Sequence, residues 1–130
     1  MILGRPMFYD REGNPISHER YIELLTPAYE SPEAHAKVKR VAGELVDDPE
    51  GREHFVSTVW LGMDHGLSCE GPPLIFETMV FEAAEGHAWF GPYHEDVGEQ
   101  WRYSTETQAR EGHAVMVALC RDRFLPCRRS

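Results

Sequence analysis

The sequence predicts a single α+β domain: an antiparallel meander of about four strands, a short N-terminal helix and a C-terminal helix packed on the sheet. Three observations predict it. Residues 54–62 and 74–82 are apolar runs rich in Val, Thr, Phe and Trp, a composition that suits a pleated surface. Their connection is polar and Gly-rich, and Pro72-Pro73 opens the second run, where the first residues need not donate to a ladder. Thr105-Glu106-Thr107-Gln108 has the T-x-x-Q form of a capping box ahead of a helical stripe, with Ser104 as the competing cap.

Along the chain, Met7 to Asp10 reads as a short strand, followed by a turn at Glu12-Gly13-Asn14-Pro15. Ser17 caps a helix to about Leu25, with Tyr21, Ile22 and Leu25 on one stripe, and Pro27 stops it. Residues 34–46 carry two signals. Ala34, Val38, Val41, Ala42 and Leu45 have helical spacing after a helix start at Ser31-Pro32-Glu33. Gly43 interrupts that pattern, and Asp47-Asp48-Pro49-Glu50-Gly51 suits a hairpin, so residues 37–46 are read as a strand. Residues 83–98 read as a long aromatic and acidic loop with a loose hairpin around Trp89-Phe90-Gly91, and residues 100–103 as a short strand. The last helix spans about 105–121, with Ala109, Gly112, Met116, Leu119 and Cys120 on one face.

Both faces of the central hairpin look apolar. Phe55, Val59 and Leu61 alternate with Val56 and Trp60, and Leu74, Phe76 and Val80 alternate with Ile75, Met79 and Phe81. A sheet with one wet face alternates with polar residues instead. One long helix covers one face, so the second is expected to meet the short helix, the 83–98 loop or a second copy in a homodimer.

At 130 residues, 42% apolar and 27% charged, the chain has the composition of a globular protein. No apolar run reaches membrane-span length, and no secretory leader is expected at the N-terminus. Cys69, Cys120 and Cys127 lack metal-ligand spacing; a Cys120–Cys127 bridge is conceivable, and reduced thiols in a cytoplasmic protein are the favoured expectation. The net charge is −9, and Arg121, Arg123, Arg128 and Arg129 make residues 122–130 part of a basic tail. Such an acidic body repels phosphate backbones, so nucleic acid is an improbable partner. Solubility accounts for the charge; an acidic decoy of DNA is the sharper alternative.

Asp64-His65 follows one strand and Glu77 sits on the next, a set that would suit a divalent metal on His65 and Asp64 or an acid/base pair. The structural alternative is that Asp64 and His65 satisfy backbone groups in the loop 62–72 while Glu77 faces solvent or pairs with Arg102 across the sheet. His87, His94, Glu95 and Asp96 form a looser group with no compact zinc spacing, and His113 reads as a satisfied, partly buried histidine. Trp89, Phe90 and Tyr93 are the interaction candidates, because aromatics among acids and glycines give binding loops area at low entropy cost. Nucleotide-loop, C-x-x-C and H-E-x-x-H motifs are absent from the sequence, and no cofactor is expected.

The blocks YDREGNPI, STVWLGMDHG, GPPLIFETMVF, RYSTE and Gly112-His113 resemble an uncharacterised family of small proteins of actinobacterial phages and related prophages. The resemblance runs from about Met7 to Leu119, with the STVWLGxDH and GPPLxFETMVF blocks in that order and spacing. Members begin at the position of Met7, which makes residues 1–6 an upstream extension. The 83–98 loop and the region of Cys69 depart from the family pattern. The family has no assigned activity and supplies no catalytic residues. It implies a phage or prophage accessory protein acting inside a bacterial cell. Taken with the absence of catalytic motifs, the leading expectation is a non-enzymatic protein that binds a host or phage protein in the cytoplasm.

Overall fold

The computed structural model describes residues 6–66, 71–82 and 95–122. Its centre is a four-stranded antiparallel meander of β3 (Arg40–Asp47), β4 (Glu53–Trp60), β5 (Phe76–Glu82) and β6 (Glu95–Tyr103). Register pairs Val56 with Val80, Thr58 with Thr78 and Trp60 with Phe76. Those residues point to one face, where α3 (Glu106–Asp122) lies across the strands and buries Ala109, His113, Met116, Val117 and Cys120. The helix begins as its capping box requires. The Thr105 hydroxyl accepts the Gln108 amide at 3.0 Å, and the Gln108 side chain accepts the Ser104 and Thr105 amides.

The N-terminal segment closes one end of this core. Strands β1 (Phe8–Tyr9) and β2 (Pro15–Ile16) form a small hairpin whose turn is tied by Asp10, which accepts the Glu12 and Asn14 amides. Helix α1 (His18–Leu25) starts at Ser17, whose hydroxyl accepts the Arg20 amide at 3.0 Å. Its Tyr21 stacks on Phe8, meets Trp60 edge-on and donates its hydroxyl to the Leu61 carbonyl at 3.0 Å. Tyr9, Tyr21, Leu25, Val41, Trp60, Ile75, Phe76 and Ala109 make one apolar cluster. Val46, Val56, Val80, Met116, Val117 and Cys120 make a second. Arg11 grips Glu106 with two hydrogen bonds, fastening the hairpin to the start of α3.

Residues 34–46 hold a helix and a strand in succession, which corrects the reading of 37–46 as strand throughout. Helix α2 (Pro32–Lys39) is capped by the Ser31 hydroxyl, with Pro32 in its first turn, and β3 begins at Arg40. A bulge between Arg40 and Ala42 marks the change, and Val41 enters the core beside Trp60. Strand β6 is longer than expected: Glu95–Gly98, read as loop, pairs with β5 despite weak intrinsic strand preference. The expected hairpin near residue 90 lies outside the described residues.

The second sheet face is less apolar than the alternation suggested. Ile75 precedes β5 and is 0% exposed in the Trp60 cluster, not on that face. Phe55 is 1% exposed, with the Arg40 guanidinium 5.1 Å above its ring. Helices α1, α2 and α3 send side chains to the Trp60–Val56 side, through Tyr21 and Leu25, Val38, and Ala109 with Met116.

Gly62 has φ +75°, and a Cβ there would lie 2.5 Å from the Tyr21 ring and 2.7 Å from that of Trp60. Gly62→Ala is expected to cost about 2–4 kcal/mol, from the left-handed backbone and the overlap together. Urea denaturation measures it.

Candidate functional site

The sequence candidates Asp64, His65 and Glu77 occupy different structural roles. Asp64 Oδ1 accepts the amides of Gly66 and Leu74, each at 2.9 Å, and so ties both ends of the loop between β4 and β5. The Asp64 amide donates to the Met7 carbonyl and that of His65 to the Leu74 carbonyl, while the His65 side chain is exposed. Glu77 lies on the face away from α3 and accepts Arg102 Nε from the neighbouring strand at 3.0 Å. Among the described residues, no three His, Cys, Asp or Glu side chains gather as metal ligands. Trp89, Phe90 and Tyr93 lie outside the described residues, as do His87 and His94.

A different polar line crosses the core beneath α3. Tyr103 of β6 donates its hydroxyl to Thr78 Oγ1 of β5 at 3.1 Å. Thr78 Oγ1 lies 2.5 Å from Thr58 Oγ1 of β4, and Thr58 Oγ1 lies 2.7 Å from His113 Nδ1 of α3. His113 Nε2 then reaches Glu44 Oε1 of β3 at 3.0 Å. Both threonines are 0% exposed and His113 is 4% exposed, while the Glu44 side chain is half exposed. Burial pushes the His113 pKa below its ordinary value; Glu44 opposes the shift, and Arg110 and Arg40 reinforce it. Burial raises the Tyr103 phenol, offset in part by its bond to Thr78.

Sequence reasoning anticipated a satisfied His113 but missed the line. Its five members come from five elements, and only the paired threonines, each between apolar residues two positions away, leave a signal in the sequence. Gly112 is part of the arrangement. A Cβ there would overlap the Tyr103 ring and hydroxyl, so the bare backbone lets Tyr103 reach Thr78. Full burial of Thr58 removes it from contact with a substrate, so its bond to a histidine does not make it a nucleophile.

A second buried pair closes the far end of the core. Asp48, in the β3–β4 turn, accepts the Glu50 and Arg52 amides at 2.9 Å through Oδ1 and faces His54 Nε2 at 3.0 Å through Oδ2. Burial alone would raise its carboxyl, but the bonds from His54 and the two amides outweigh that and hold it below the usual range. Cys120 is a free, buried thiol pushed up to about 11 by burial and by the charge of Asp48, which makes it inert at neutral pH. Cys69 and Cys127 lie outside the described residues.

Alanine at a helical glycine ordinarily gains about 1 kcal/mol. Gly112→Ala is expected to reverse that sign and lose about 1–2 kcal/mol, because Tyr103 must shift and surrender its bond to Thr78. Thermal or urea unfolding of the variant checks the sign. Asp48 has a folded pKa below its ordinary 3.8, so its contribution is present above that pH and lost as pH falls through the lower folded value. Asp48→Asn is expected to cost about 1–3 kcal/mol at pH 7 and to flatten this acid limb, measured by unfolding across pH 2–7.

No family model, curated protein or solved structure matches the chain.

Proposed function

We propose that the chain is a non-enzymatic protein-binding module, a phage-type accessory protein acting on a host or phage protein in the bacterial cytoplasm. The observation that carries this reading is the sheet face turned away from α3. Leu45, Ser57, Val59 and Met79 are partly exposed on it, beside the Arg102–Glu77 ion pair and the exposed Gln100. A mixed apolar and polar strip on a rigid sheet is suited to a partner that comes and goes. The family resemblance supports the phage setting, and a second copy of the chain is the alternative occupant of the same face.

The acid/base reading of Asp64, His65 and Glu77 draws no support from their geometry, since Asp64 ties loop backbone and Glu77 pairs with Arg102. The DNA-decoy reading is no better supported: Glu106, Glu50 and Glu23 are paired with arginines, and Asp48 is buried.

Met79→Glu places a charge in the middle of the strip without touching the helix-covered core. The expected outcome is that wild-type protein retains a partner from an actinobacterial lysate and the variant does not, with unchanged circular dichroism. Equal capture by both would remove this face as the binding surface. Light scattering at micromolar concentration, read for both proteins, tests the second copy: a dimer abolished by Met79→Glu makes the chain its own partner.

A further inference from the structure

We infer that Glu44, His113, Thr58, Thr78 and Tyr103 form a pH-set clasp, which fastens α3 and β6 to the central strands through one fixed order of hydroxyl donors and reverses that order when His113 takes a proton. The order follows from the ends of the line. An ionised carboxylate only accepts, so Glu44 Oε1 at 3.0 Å places the hydrogen of neutral His113 on Nε2. The other tautomer would aim a lone pair at the carboxylate. Nδ1 is then an acceptor, and the hydroxyl 2.7 Å away, Thr58, donates to it. With its hydrogen so engaged, Thr58 Oγ1 accepts from Thr78, and Thr78 accepts from Tyr103. Each hydroxyl donates once, and each threonine also accepts once.

Protonation adds a hydrogen at Nδ1. Thr58 must now accept from the ring, and its own hydrogen, in a fully buried site, stays bonded only by turning to Thr78, which in turn directs its hydrogen to Tyr103. The Tyr103 hydroxyl becomes an acceptor, and its hydrogen loses the only bond it has among the described residues. The strain of protonation is thereby delivered at β6, two strands away from the Thr58–His113 bond. Among the described residues, the charged and titratable groups around the ring are Glu44 and Arg40 from β3, Arg110 from α3 and, at the far end, Tyr103 from β6. Strands β4 and β5 present the neutral Thr58 and Thr78. Glu44 favours the imidazolium, whereas burial and the two arginines oppose it, and the opposition prevails. The unfolded chain therefore takes its proton first as pH falls below about 6.5, so stability is full above that pH and declines toward the lower folded value.

Nitrogen-15 NMR of the histidine ring tests the order. In wild-type protein at pH 7, the expected spectrum of His113 shows a protonated Nε2 and an unprotonated Nδ1, and its titration midpoint lies below 6.5. A hydrogen on Nδ1 at pH 7, or a midpoint at or above 6.5, overturns the clasp. Tyr103→Phe removes the group that accepts in the reversed order while leaving all charges in place. His113 in this variant is expected to titrate at a lower pH than in wild type, and an unmoved midpoint overturns the relay. His113→Gln, which keeps a donor for Glu44 but does not titrate, is expected to flatten the decline in stability between pH 7 and 5. In wild type that decline approaches about tenfold in the folding constant for each unit separating the folded and unfolded values. An undiminished decline in the glutamine variant counts against His113 as its source.

Discussion

The hydrogen bond between Thr58 and Thr78 joins the two central strands at the point where α3 crosses them, and much of the architecture is arranged to satisfy it. Both hydroxyls are fully buried, and a buried polar group left without a partner costs about 1–3 kcal/mol. His113 answers Thr58 and so fixes how far along its axis α3 sits. Tyr103 answers Thr78 and so fixes where β6 meets the helix, which in turn demands glycine at 112. Glu44 completes the histidine from the edge strand. Removing any member exposes a need in its neighbour, which is how a polar layer imposes a unique register on an otherwise apolar core.

The layer also divides that core. Along β4, Trp60 belongs to one apolar cluster, Thr58 to the polar line, Val56 to the second cluster and His54 to the pair with Asp48. Helix α3 repeats the sequence with Ala109, His113 and then Met116, Val117 and Cys120. Apolar layers alone would tolerate α3 sliding by a turn, since a methyl group meets a methyl group in either position. A polar layer between them does not, because the slide would take His113 away from both Thr58 and Glu44 and set its ring among apolar side chains. The acids at the strand ends work locally in the same way. Asp48 and Asp64 each accept two backbone amides and close a connection, so they serve as turn staples.

Local signals in the sequence proved sufficient where one segment contains all the partners involved. Ser17 and the Thr105–Gln108 box start their helices as their spacing implies, because a cap bonds within a single turn. The two apolar runs, joined by a single Gly- and Pro-bounded connection, pair as antiparallel neighbours. Legibility failed where distant residues decide. Nothing local states that the helical signal at Ser31 ends at Lys39, because the bulge at Arg40 is set by pairing with β4. Glu95–Gly98 becomes strand because β5 offers it a ladder. The polar line joins positions 44, 58, 78, 103 and 113, whose proximity exists only after folding.

The Arg102–Glu77 ion pair constrains what the opposite face can accept. Glu77 is 8% exposed and already bonded to Arg102, whose side chain is one-third exposed. Covering that pair with an apolar surface would strip the remaining water from the guanidinium, and desolvation of a charged pair can exceed the attraction within it. An occupant must therefore bring an acceptor for Arg102 together with apolar groups for Val59 and Met79. The polar layer under α3 and the ion pair on the opposite face thus act alike. Each admits the arrangement that satisfies it and penalises the many that satisfy only the hydrophobic effect.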